Sequence, residues 1–391
     1  MTPNAQRFDE WIRTRFRALN TELEEAYFAQ DDRASVKGVR DDLKAALRDE
    51  GDAHIQALLA EGNTDDGFDA AFALLGDVGF YLGAMRRHEL TNPAREKTSP
   101  FRAASALAMH IAASLGLAPR FATSHLATHN KAVAGVYKSF TALADEKLFI
   151  DYNAYGIFGY MRAADALRRI VPLGVSNPIA KFLFDDAADA LDGVARHNDA
   201  LFDRLDADRF FYCVRPYYKT YRVGRAEYRG ANAGDFAGIN EIDLLTGLCR
   251  ANDPSYSQLL VDKMLFMTPA DQAQLREALR RESFLDGFLD LVDAHAGADW
   301  FVANARAFLR VCDRFGRTAS QHHDALVKRF IEETAARDAL TEREGLTASG
   351  PPLPVLVDAL EKLRDRRVAA PRDDVPTRAA DMARLRAAVG G

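Results

Sequence analysis

Cysteine is scarce: Cys213, Cys249 and Cys312 are the only three in 391 residues. Three scattered thiols build no disulfide framework, and without a Cys-x-x-Cys pair they offer neither a thiolate zinc site nor c-type haem attachment. The expected compartment is reducing, the cytoplasm. Long apolar runs are short as well. ASALAMHIAASLGLAP, residues 104–119, falls below the roughly 20 residues a spanning helix needs, and MTPNAQRFDEWIRTRF at the start lacks the apolar segment of a signal peptide. No membrane association is expected. A basic excess is missing too. Lys and Arg number 51 against 57 Asp and Glu, a net charge of −6, which counts against a dedicated nucleic-acid binder. Gly-x-Ser-x-Gly, the P-loop and the dinucleotide-binding glycine pattern are all absent.

What is present is helical periodicity over an ordinary globular composition, 48% hydrophobic and 28% charged. Between Phe8 and Phe28 the positions of Trp11, Ile12, Phe16, Leu19, Leu23, Ala26 and Tyr27 repeat every three to four residues. A second helix is expected over 34–59. The third, DGFDAAFALLGDVGFYLGAMRRHEL, is apolar on most of its circumference and so is expected to be buried on several sides. Asp253-Pro254 and Thr268-Pro269 each put a capping side chain before a proline in the first turn. Further helices are expected over 269–296, 298–336 and up to Arg367. Alternation suggests a strand only around 221–228. The fold class is all-α. Residues 1–95 read as an N-terminal helical region, 96–370 as the main helical domain and 371–391 as a loosely held tail, with TNPAREKTSP at 91–100 as the boundary.

Residues 215–235, RPYYKTYRVGRAEYRGANAGD, interleave five basic residues with Tyr217, Tyr218, Tyr221 and Tyr228, then run into almost bare backbone. Such a mixture suits a nucleic-acid strand, with bases stacked on the rings, or a pocket for a flat anionic molecule approached closely by backbone. Of nine histidines none follows a Glu by three residues, which disfavours a di-iron carboxylate bundle. His125 and His129 share a helical face, as a metal pair or in a structural role. His322 and His323 lie in an amphipathic stretch, RFGRTASQHHDALVKRF. One of them facing a cavity is what a haem iron needs; otherwise both are surface histidines.

GANAGDFAGINEIDLLTGL at 230–248 resembles the distal segment of the indoleamine and tryptophan 2,3-dioxygenase haem superfamily. A closer similarity is to its monodechloroaminopyrrolnitrin synthase (PrnB) family. DVGFYLGAMRRH, SFTALADEKLFI, FFYCVRPYYKTYRVGRAEYRG and SGPPLP occur in that family's order between residues 77 and 360.

The resemblance implies a multi-helix haem fold, with haem b (iron protoporphyrin IX) and substrate in 96–370. It implies one iron ligand, His323, with Arg329 six residues on, and His322 as the alternative. Ala233 and Gly234 would keep the opposite face of the iron roomy, with catalytic roles shared with Ser349. Arg215 would pair with the substrate carboxylate, with haem-propionate pairing or a structural salt bridge as the alternatives, and Tyr218, Tyr221, Ser349 and Gly350 would touch substrate. The implied activity is an oxidative one on L-tryptophan or a halogenated tryptophan, with dioxygen or peroxide, in antibiotic biosynthesis. The alternatives are haem-dependent hydroxylation of a phenolic amino acid and a cofactor-free helical binding module. Family members carry a tyrosine two turns after the haem histidine, where this chain has Phe330 and Ile331.

Overall fold

The computed structural model describes residues 1–62, 66–338 and 352–390. Among them it is all-α except for one hairpin, Tyr221–Val223 paired with Ala226–Tyr228. Helices begin where the sequence supplies caps. The Asp253 carboxylate accepts from the Ser255 and Tyr256 amides at 2.9 and 3.3 Å, with Pro254 opening the helix Pro254–Met264. Thr268 caps Pro269–Ala278 by accepting from the Asp271 amide at 3.2 Å. The pattern expected as one helix over 269–296 is two, because Ser283 starts Phe284–His295 with its own cap on the Asp286 amide. The expected 298–336 helix is continuous from Asp299, but its turns widen to π-type over His322–Glu332 before Glu333–Arg337.

The chain forms two compact units, each gathered from three stretches: Met1–Asp151, Arg204–Asp235 and Phe330–Leu353 in the first, Tyr152–Asp203, Phe236–Arg329 and Pro354–Gly391 in the second. At the centre of the first lies the helix Phe68–Arg87, in which every residue from Ala71 to Met85 except Ala73 is buried. It is long and apolar enough to cross a bilayer, yet its apolar surface is covered by protein. Its glycines admit neighbours. A Cβ on Gly79 would lie 2.2 Å from the Phe121 backbone nitrogen, and one on Gly76 would lie 2.6 Å from the His125 ring. Asp77, within this helix, is fully buried and sits 2.5 Å from the Lys138 ammonium, which is also 2.7 Å from Asp9.

The second unit packs Phe184, Phe284, Phe288 and Phe308 against one another, with ring centroids 5.3 to 6.1 Å apart. Tilted and edge-on pairs of this kind add to the area they bury. Asn304 holds the loop that leads into Pro178 by donating to the Val175 and Asn177 carbonyls at 2.7 and 3.0 Å. Along the outside, Arg310, Arg314 and Arg317 of Asp299–Gln321 pair with Asp185, Asp192 and Asp199 of Pro178–Arg204. Both series ascend together, so the two helices run parallel. The last helix, Ala379–Ala388, lies within the stretch read as a loose tail. It places Met382 and Leu385 in this core.

Candidate functional site

The predicted residues divide by unit: Arg215, Tyr218, Tyr221, Ala233 and Gly234 belong to the first, His322 and His323 to the second. Ser349 and Gly350 lie outside the described residues.

In the first unit, Arg215–Tyr218 is one tight 3-10 turn, with Pro216 at its second position. Lys219 is extended and leads to the hairpin. The Gly224-Arg225 loop has glycine first, at φ +58°, the place where a type II′ turn requires it. This geometry turns the tyrosines inward. Tyr217, Tyr218 and Tyr221 are all buried, so their rings are not a surface for stacked bases.

Their hydroxyls differ. Tyr217 donates to the Asn20 Oδ1 at 3.2 Å and stacks on Phe140 at 4.3 Å. Asn20 in turn is 2.7 Å from His88 Nε2, and His88 Nδ1 is 2.9 Å from the Tyr27 hydroxyl. The Tyr221 hydroxyl reaches the Gly79 carbonyl at 3.5 Å, and the Arg120 guanidinium covers its ring at 4.3 Å. The Tyr218 hydroxyl is buried and has no partner among the described residues. Its ring stands amid Phe121, Phe140 and Phe149, at 5.9, 6.1 and 5.8 Å. Burial holds the Tyr218 phenol well above its ordinary pKa, with the Glu146 charge adding to this. It is therefore a donor at any physiological pH.

Arg215 is buried, and among the described residues it makes no hydrogen bond or ion pair. The Phe211 ring lies 5.5 Å from its guanidinium carbon. Loss of hydration alone pulls its pKa down to about 10, so at neutral pH it remains a cation. Two neighbouring arginines are neutralised: Arg222 pairs with Glu227 at 3.1 Å, and Arg229 holds Asp235 with two bonds of 3.0 and 2.8 Å. Asp235 also accepts from the Asn232 amide at 2.8 Å. That pins the half-buried turn carrying Ala233 and Gly234.

In the second unit, the two adjacent histidines behave differently. The His322 side chain is accessible yet closely surrounded, and its pKa falls to about 4 through lost hydration first and the Arg367 charge second. His323 is buried. Its Nδ1 lies 3.0 Å from the Asp324 carboxylate and 3.2 Å from the Arg364 guanidinium, while its buried Nε2 has no partner among the described residues. Arg364 rides on Leu353–Arg367, whose end is clamped by Arg367 to Asp243 with bonds of 2.8 and 2.7 Å. Asp243 also accepts from the Tyr256 hydroxyl at 2.8 Å. Arg364 and Asp243 were not singled out from sequence. For Asp324 the one available signal was its position directly after the histidine pair.

His125 is structural. Its Nδ1 accepts from the Ala122 amide at 2.9 Å, and its Nε2 meets the Phe72 carbonyl at 2.8 Å. Burial lowers its pKa to about 3. Two open clefts, of about 790 Å³ beside Arg33 and Tyr212 and about 590 Å³ beside Phe158 and Glu241, contain none of the predicted residues.

A family model described as "Monodechloroaminopyrrolnitrin synthase PrnB" matches residues 2–389, and so takes in both units and all the residues above.

Proposed function

The chain belongs to the PrnB family, and from that premise we propose that it is a haem b-dependent oxygenase or oxidase of an aromatic amino acid, L-tryptophan or a halogenated tryptophan. Membership already makes it an oxidoreductase of tryptophan-related antibiotic biosynthesis.

The observation that carries the substrate class is Arg215. A buried guanidinium without a carboxylate is costly, and such a charge normally has a partner. An amino acid's carboxylate matches its planar fork in two parallel hydrogen bonds. The Tyr218 hydroxyl, three residues on in the same turn, adds one donor with no competing partner among the described residues. Phe121, Phe140 and Phe149 around it keep water from that donor. The small side chains of Ala233 and Gly234 leave their backbone open to close approach.

His323 fits a haem iron. A buried imidazole nitrogen without a partner, opposite a nitrogen held by a carboxylate, is the arrangement that presents a lone pair in a set direction. Among the described residues no three His, Cys, Asp or Glu side chains converge on a point, so a single nitrogen suits an iron whose other ligands belong to a macrocycle. When bound, haem would supply the iron at which dioxygen or peroxide is activated.

Spectral titration of the haem-loaded protein tests the reading. Tryptophan should shift the Soret band, and tryptamine, which lacks the carboxylate, should bind at least tenfold more weakly, the equivalent of about 1.4 kcal/mol. Equal responses to both would remove Arg215 from substrate binding. A response to tyrosine alone would favour the phenolic hydroxylase.

A further inference from the structure

We propose that Asp324 and Arg364 compete for one nitrogen of His323, and that Asp324 is the positioning residue that frees the other nitrogen for iron. The inference rests on the haem reading above.

Both contacts converge on Nδ1, at 3.0 Å from Asp324 Oδ1 and 3.2 Å from the Arg364 guanidinium. A neutral imidazole has one N–H and one lone pair; an ionised carboxylate only accepts and a guanidinium only donates. The two contacts therefore exclude each other. When Nδ1–H donates to Asp324, the lone pair is on Nε2 and free for a metal. When Arg364 donates to Nδ1, the proton moves to Nε2, where it blocks ligation. That proton would also stand in a buried position with no acceptor among the described residues.

Each competitor has somewhere else to go. Arg364 is 2.8 Å from Asp365 and 3.2 Å from Glu361, while Asp324 is 3.6 Å from both Lys328 and Arg364. Side chains one apart do not face each other on a regular helix. The Asp324 contact occurs where the turns widen to π-type, a local geometry often found at functional positions. Arg364 arrives from 41 residues away, three residues before the Arg367–Asp243 clamp that sets the position of its helix.

Hemin titration and resonance Raman spectroscopy of the ferrous haem-loaded protein test the competition. Asp324→Leu should weaken hemin binding by about tenfold or more and lower the iron–histidine stretching frequency. Arg364→Met should do the opposite on both readouts. Asp324→Asn keeps a carbonyl that accepts from Nδ1–H, but an uncharged and weaker one whose amide can also donate, and should fall between the wild type and Asp324→Leu. A merely structural role would not move one frequency in two directions. Leu and Met variants that match the wild type, or that shift the same way, overturn the proposal. A wild-type protein that gains no Soret band refutes the haem reading itself. A wild-type band with three indistinguishable variants refutes only the competition.

Discussion

Tyr217 and Tyr218 are neighbours in one tight turn, and only Tyr217 has a described partner for its hydroxyl, the Asn20 Oδ1 at 3.2 Å. Removing the two hydroxyls should therefore have opposite consequences. Tyr217→Phe should destabilise the protein by about 1 kcal/mol, the worth of a typical hydrogen bond, without changing ligand affinity. Tyr218→Phe should leave stability unchanged or slightly raised while weakening tryptophan binding. Urea unfolding and Soret titration of both variants check this, and a stability loss at Tyr218 equal to that at Tyr217 would count against a ligand-facing hydroxyl.

Arg215→Met removes a buried charge that has no described partner. The ligand-free protein should be as stable as the wild type or more so, since an isolated buried charge is itself a cost. Tryptophan affinity should fall about 10- to 100-fold, as expected for charge-assisted hydrogen bonds of about 1.5–3 kcal/mol. A marked loss of ligand-free stability would instead identify a structural ion pair.

Close approach at the Phe68–Arg87 helix gives a third expectation. Gly79→Ala would push a Cβ to 2.2 Å from the Phe121 backbone and should cost about 3 kcal/mol, the upper end for overpacking. Gly156, in the helix Ala144–Ile170, has nothing within 4 Å of the same added atom. Gly156→Ala should be neutral or gain about 0.5–1 kcal/mol. Thermal unfolding of the two variants separates them.

The fourth concerns pH. Burial, only partly offset by Lys138, pushes the Asp77 carboxyl up to about 7 from an ordinary 3.8. Between those values the folded protein keeps a proton that the unfolded chain has released. The Asp77 contribution is thus fully present below about pH 4, falls as pH rises towards 7 and is level above it. The stability of Asp77→Asn relative to the wild type should rise across the same window. Urea unfolding of both proteins at pH 5 and pH 8 checks it, and an unchanged difference would contradict it.

Much of the helical layout is legible from local chemistry. Asp253-Pro254 and Thr268-Pro269 begin helices because capping and proline geometry act over three or four residues. The hairpin at 221–228 is visible through alternation, and the buried third helix through an apolar circumference, both of them patterns read over a few residues. At Ser283 a start signal is present, the polar run Arg280-Arg281-Glu282 before it and Asp286 three residues after it, but the apolar residues on both sides read as one helix across it. The widened turns at His322–Glu332 leave no mark in the spacing of apolar residues. Candidate ligands were found by type and family pattern, but their ranking was hidden. Tyr217 is satisfied by Asn20, nearly two hundred residues earlier, and His323 meets Arg364 from another helix. Arg215 stands apart only because no carboxylate among the described residues reaches it. Such facts depend on which distant segments meet.

The most direct measurement is a hemin titration followed at the Soret band for the wild type, His322→Ala and His323→Ala. The wild type and the His322 variant should bind one haem with a five-coordinate spectrum, and the His323 variant should lose it. A colourless wild type, or a band that survives in the His323 variant and vanishes with His322, would contradict the account.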